Sequence, residues 1–280
     1  MKETSFRLPH ITLAGFTNGN VGKPPLLLLH GWLDNAGSFE TMLPYLSRFH
    51  VIAVDLPGHG LSQHRSLDAH YHFVDWVYDV SQLIEHLHWD SLSIVGHSMG
   101  GSIATVVAAA LPQKIKNIVL IDSIGLMTTP ATQTCEQLRQ GINSRVRLAG
   151  KDKPRHPTFE SAMLARVLVG DLKEEQVSIL LKRGLEVCND GYRWRSDQRL
   201  RTHSVMRFTF EQATNLINNI QCPVLMIEGD KGAKMVKRNR ELYQAHFADL
   251  HCNHMPGGHH CHMEYPETAA QLVNDFIAMR

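Results

Sequence analysis

Between residues 92 and 111 the chain passes from an apolar run, Leu92-Ser93-Ile94-Val95, through Gly96-His97-Ser98-Met99-Gly100 into an alanine-rich stretch. A strand that becomes a helix within so few residues must turn sharply. The backbone at the turn is strained and its neighbours crowd the strand, so small residues are needed two positions to either side. Gly96 and Gly100 supply them. Such a turn lifts the Ser98 hydroxyl above the end of a sheet. It also commits the chain to a strand followed by a helix packed behind it.

The same alternation runs through the first half. Leu26-Leu27-Leu28-Leu29, Val51-Ile52-Ala53-Val54 and Ile118-Val119-Leu120-Ile121 are short apolar runs, and 73–87 places Val77, Val80, Leu83, Ile84 and Leu87 on one side of a helix. Continuous apolar strands with helices between them predict a mostly parallel sheet covered on both faces. From 127 to 219 strand signals are few and helical stretches dominate, for example 159–169 and 173–185. The rhythm then returns with a strand at 222–227, a helix at 236–247, a strand at 250–255 and a last helix at 266–279. The expected organisation is an α/β core of residues 1–126 and 220–280 interrupted by a helical insertion, 127–219.

Composition narrows the function. The 280 residues are 43% hydrophobic and 20% charged, with a net charge of +1. That is a globular chain with no field to draw in nucleic acid. Residues 1–9 lack the apolar centre of a secretory signal, and runs such as 24–29 and 103–111 are too short to span a bilayer. Five unevenly spaced cysteines make no disulfide framework. A cytoplasmic location is expected, with neither membrane attachment nor an obligate protein partner. The insertion holds fifteen Lys and Arg against ten Asp and Glu, a pattern read as a solvated helical surface rather than a trap for acidic substrates.

A serine hydroxyl is a weak nucleophile at neutral pH. It needs a base within hydrogen-bond reach, and the base needs an orienting acid. After a turn of this kind the acid and then the histidine follow in chain order. The late segment Gly257-Gly258-His259-His260-Cys261-His262 provides the base. His259 is the choice, since the paired glycines let the backbone carry its imidazole toward Ser98. His260 and His262 are the alternatives. For the acid, Asp122 ends a strand expected beside the one that ends at Ser98, and it is favoured over Asp230, which follows the 222–227 strand. Oxyanion donors are expected from the backbone N–H of Met99, at the helix start, and from Trp32 in the loop after the first core strand. His30, Gly31, His97 and Trp194 are candidate substrate contacts. Phe39, Trp32, Trp194, Phe208 and Phe210 are candidate pocket walls.

Four segments together resemble the α/β-hydrolase superfamily. They are His30-Gly31-Trp32, Asp55-Leu56-Pro57-Gly58-His59-Gly60-Leu61-Ser62, the serine turn, and the late Gly-His loop, in that order. His30-Gly31-Trp32-Leu33-Asp34-Asn35-Ala36 and Arg195-Ser196-Asp197-Gln198-Arg199-Leu200 look more specifically like the serine hydrolase-like proteins. The resemblance implies the α/β-hydrolase fold, with the insertion as a cap, or lid, over the active site. It also implies that the acid usually stands three residues after the glycine of the Glu228-Gly229-Asp230 loop, where this chain has Gly232. Dehalogenase-like members offer a precedent for an acid at the place of Asp122. Their nucleophile, and that of epoxide hydrolases, is an aspartate, so Ser98 argues against both activities.

The resulting expectation is a cofactor-independent serine hydrolase acting on a carboxylic ester or related small acyl compound. Carbon–carbon bond or amide hydrolysis would use the same residues. A non-catalytic ligand-binding protein on the same scaffold is the alternative from another class. Two motif readings are set aside. The glycines at 96–101 lack the lysine of a phosphate loop. His251, Cys252, His254, His259, His260, Cys261 and His262 have residue types that suit zinc. They span a strand and a loop, however, and the glycines are explained by the base alone, so no metal is assigned.

Overall fold

The apolar runs form the parallel core of an eight-stranded sheet in the computed structural model, which describes residues 1–279. Its first half comprises β1 (Lys2–Arg7), β2 (Thr12–Thr17), β3 (Pro25–Leu29), β4 (His50–Val54), α1 (Phe73–His86), β5 (Leu92–His97), α2 (Met99–Ala110) and β6 (Ile115–Ile121). Then come α3 (Thr134–Leu148), β7 (Arg155–His156), α4 (Phe159–Val167), α5 (Glu174–Gly184), β8 (Leu185–Cys188), β9 (Gly191–Trp194) and α6 (Phe210–Asn218). The chain ends with β10 (Val224–Gly229), α7 (Lys234–Tyr243), β11 (Leu250–Met255), α8 (Cys261–Glu264) and α9 (Pro266–Ala278). The strand order is β1-β2-β4-β3-β5-β6-β10-β11. Within this sheet the β1–β2 and β2–β4 pairings are antiparallel and the others parallel.

Because successive side chains in a strand face opposite ways, each apolar run feeds two cores. Leu27, Leu29, Ile94, Ile118 and Leu120 point to one face, against Val80, Leu83 and Ile84 of α1 and Ile103, Ala104 and Val107 of α2. Leu26, Leu28, Val95, Val119 and Ile121 point to the other, against Phe39, Met42 and α9 residues Ala270, Val273 and Phe276. Register then sets the site. His97 lies opposite Ile121, and Ile121 opposite Ile227, so β5, β6 and β10 release their following residues along one edge. That edge is at the carboxyl ends of the parallel strands, where such sheets bind ligands.

The insertion, expected to be helical with few strand signals, also contains strands. Its four helices are joined by a three-stranded antiparallel sheet, β7-β9-β8, with β8 running on directly from α5. A small core of Ala162, Leu172, Val177, Leu180, Leu181 and Leu185 holds it, and Met263 from the late histidine loop joins that core. α6 belongs elsewhere, since Ala213 and Ile217 are buried in the main core. Leu200 is likewise buried in the main core and Phe208 packs against it, so the last part of the insertion is tied to the main sheet layers.

Arginines of this segment dock it. Buried Arg183 donates its Nε to both carboxylate oxygens of Asp55, at 2.9 and 2.7 Å. Arg199 is paired with Asp197 and also donates to the carbonyls of Arg65, Ser66 and Ala69. Tyr71 donates its hydroxyl to Asp197 at 3.0 Å. The 195–200 motif is thus a clamp between the two parts of the chain. Among the described residues, no helix is long and apolar enough to cross a membrane.

Candidate active site

Ser98 joins β5 to α2 with φ 50° and ψ −116°, a conformation that ordinary residues avoid. It is held by close packing. A side chain on Gly100 would run into the carbonyl oxygens of Leu29 and His30, so α2 begins pressed against the end of β3. The Ser123 hydroxyl donates to the Ser98 carbonyl at 2.8 Å and braces the turn from β6.

Three side chains from three strand ends meet in line. Ser98 Oγ donates to His259 Nε2 at 2.9 Å, and His259 Nδ1 donates to Asp122 Oδ2 at 2.6 Å. His259 is partly exposed, and Asp122 is fully buried. Asp122 also accepts from the Ala233 N–H at 3.0 Å and, more weakly, the Gly229 N–H at 3.4 Å. Its backbone N–H donates to the Ile227 carbonyl at 2.7 Å, with φ at 40°. Gly232 completes the arrangement. A Cβ there would collide with Asp122 Oδ1, so the absent side chain makes room for a carboxylate arriving from β6. Asp230 is exposed, and its N–H donates to the Met255 carbonyl.

The other expected site residues divide. Met99 opens α2, half-buried. Trp32 is 49% exposed, with its indole N–H donating to the Leu200 carbonyl at 3.1 Å. Trp194 lines a cleft with Leu33, Asp34, Arg166, Leu180 and Leu181, and its indole donates to His156 Nε2 at 3.0 Å. A larger hollow of about 370 Å³ lies by Arg155, Asn189 and Arg193 and touches none of Ser98, His259 and Asp122. His30 and His97, expected as substrate contacts, are both completely buried. His30 donates Nδ1–H to the Gly31 carbonyl at 2.7 Å and accepts the Leu56 N–H at 2.9 Å, which fixes the loop after β3. Gly31 packs against His97. Phe39 lies in the core beneath the sheet, Phe208 packs edge-on to Phe73, and Phe210 packs on Tyr243.

Sequence reasoning missed a second polar layer under the base. His97 donates Nε2–H to the His259 carbonyl at 2.9 Å. His260 donates Nδ1–H to Asp171 at 2.7 Å and Nε2–H to Asp34 at 3.1 Å. Asp34 is also bound by Arg166 at 3.1 Å. Burial alone would push the His260 imidazole down, but Asp34 and the hydrogen bond to Asp171 outweigh it and raise it to about 9. For His97 and His262 the pull of Asp34 is outweighed. Burial, reinforced by neighbouring histidines, keeps both neutral, His262 with a pKa of about 3. The only signals in the sequence were the clustered histidines and an aspartate inside the 30–36 motif.

A serine raised on a strained strand-to-helix turn, with histidine and aspartate delivered from later strand ends, can relay a proton from hydroxyl to imidazole. Known proteins resemble the chain in sequence and fold. The family described as alpha/beta hydrolase fold matches residues 24–266. A serine hydrolase-like protein of Danio rerio is 30% identical, across 98% of this chain and 88% of that protein. The crystal structure of the hypothetical protein PA1622 from Pseudomonas aeruginosa superposes with a TM-score of 0.92 at 36% identity, over 100% of this chain and 99% of that one. A thioesterase domain from the curacin biosynthetic pathway superposes with a TM-score of 0.83 at 25% identity, over 98% of both chains. With the sheet order, the serine turn and the matched family extending over most of its length, the chain belongs to the alpha/beta hydrolase fold family and is similar to its serine hydrolase-like members.

Proposed function

We propose that this hydrolase cleaves a carboxylic ester, or a related small acyl compound, by way of an acyl-enzyme. The carrying observation is the unbroken hydrogen-bond line from Ser98 Oγ through His259 to Asp122. Ser98 attacks the carbonyl carbon while His259 Nε2 takes the hydroxyl proton. Asp122 holds the Nδ1–H tautomer and stabilises the imidazolium. The Met99 and Trp32 N–H groups bind the tetrahedral oxyanion, which such donors favour by about 10²–10³ in rate each. His259 then gives its proton to the leaving alcohol. Water, activated by the same imidazole, releases the acid and restores Ser98.

The insertion, residues 127–219, serves as the cap in this reading, with α6 anchoring it in the main core. The cleft by Leu33, Leu180, Leu181 and Trp194 also carries Asp34, Arg166 and Ser196, and none of Ser98, His259 and Asp122 lines it. The thioesterase resemblance agrees with acyl chemistry. The test is a panel of p-nitrophenyl esters of increasing chain length. Turnover should be lost in Ser98→Ala, and a maximum at one chain length would report the depth of the pocket. Activity on no ester, with intact folding, would sink the proposal.

A further inference from the structure

Beneath the catalytic loop three ligand-type atoms converge. Asp34 Oδ2, His97 Nδ1 and His260 Nε2 lie within 4.8 Å of one another, and all three residues are buried. The Asp34–His260 separation is 3.1 Å and the Asp34–His97 separation 3.7 Å. Ligand atoms around a tetrahedral zinc ion stand roughly 3.3 Å apart, given bonds of about 2.0–2.2 Å.

The protonation of His97 makes the cluster unusual. Its Nε2 faces a carbonyl and must carry the proton. Its Nδ1 therefore presents a bare lone pair, fully buried and unpartnered, toward a carboxylate oxygen. Two electron-rich atoms facing each other in a dry interior attract a cation between them. A Cβ on Gly31 would stand 2.8 Å from His97 Nδ1 and 3.0 Å from Asp34 Oδ2, so the glycine keeps this approach clear.

The outer contacts follow the pattern of metal centres. Ligating histidines characteristically donate their other ring N–H to a carbonyl or carboxylate, and ligating carboxylates are themselves hydrogen-bonded. Here His97 donates to the His259 carbonyl, His260 donates to Asp171, and Asp34 Oδ1 accepts from Arg166. His262, completely buried with both ring nitrogens unpartnered, packs its ring 4.5 Å from that of His97 and stands outside the three-atom cluster.

We propose that Asp34, His97 and His260 form a binding site for a transition-metal dication of the zinc class, and that its occupancy slows turnover at the neighbouring base. Two imidazoles and a carboxylate are a donor set that zinc accepts. Coordination requires His260 Nε2 to release the proton it now donates to Asp34, and that proton passes to solvent. The bound ion adds positive charge behind His97, whose ring centre is 4.8 Å from that of His259. This charge opposes the imidazolium that would form on His259 during acyl transfer.

Zinc chloride is titrated calorimetrically into the full chain stripped with a chelator, with cobalt absorption as a second probe. The expected result is one ion per chain, and cobalt bands without a thiolate charge-transfer feature. Asp34→Asn and His260→Gln should weaken binding at least about a hundredfold. Asp171→Asn, at a half-exposed position, should weaken it about 10–100-fold and serves where the buried variants fail to fold. His254→Ala, on the exposed edge strand, should bind as wild type. No binding, binding abolished by His254→Ala, or binding lost in His259→Gln yet unchanged in Asp34→Asn or Asp171→Asn would overturn the site. The inhibitory half rests on the esterase reading. It predicts at least a tenfold fall in ester turnover at saturating zinc, and bound zinc with unchanged turnover would refute that half alone.

Discussion

Replacing Asp122 by asparagine tests the least ordinary part of the site. The wild-type carboxylate accepts from His259 Nδ1 at 2.6 Å and from the Ala233 N–H at 3.0 Å through the same oxygen, Oδ2. An asparagine keeps the shape but offers one acceptor oxygen instead of two. If the amide nitrogen takes the place of Oδ2, its NH2 faces His259 and the Ala233 N–H, the oxygen keeps only the Gly229 N–H, and the imidazole is forced to protonate at Nε2. Nε2–H then points at Ser98 and cannot accept its proton. Losing the correct tautomer in a triad costs about 10⁴-fold, which is about 5 kcal/mol of transition-state stabilisation. Asp230→Asn is the matched control, because that side chain is exposed. Its effect on kcat/KM should stay within about threefold. Steady-state ester hydrolysis, with circular dichroism to check folding, measures both. Losses of less than tenfold in Asp122→Asn, or equal losses in the two variants, would refute the assignment.

Two further outcomes follow from the same geometry. Gly232→Ala places a methyl group against Asp122 Oδ1 and should lower kcat/KM at least about tenfold while far-ultraviolet dichroism is unchanged; wild-type kinetics would show that the loop yields. The second concerns pH in chelator-treated protein. His260 is raised to about 9 by Asp34 and Asp171 against burial, so the bridge contributes fully below about pH 6.5 and is lost as pH climbs through 9. The difference is worth about 3 kcal/mol, and urea unfolding at pH 6 and pH 10 should show most of it vanish in His260→Gln.

The apolar runs made the central strands and the serine turn legible, because a buried parallel strand must be apolar along its whole length. Asp122 was reachable too, since adjacent parallel strands release their ends side by side. What stayed hidden depends on contacts rather than pattern. β1 buries only Phe6, so its six residues carry no clear alternation. β7, β8 and β9 run two to four residues, too short for a period to show. The Asp34–His260 bond joins residues 226 positions apart, and the Asp171–His260 bond spans 89. His30 looked like a substrate contact because it precedes Gly31-Trp32, yet both ring nitrogens are spent on backbone groups.

The central claim is that folding makes one serine oxygen reactive by placing an oriented imidazole 2.9 Å away. A fluorophosphonate probe followed by peptide mass spectrometry reads this directly. The account predicts one label per chain, carried on Ser98, absent in Ser98→Ala and slowed by orders of magnitude in His259→Gln. A folded wild-type chain that takes up no label, or carries it on another residue, would contradict it.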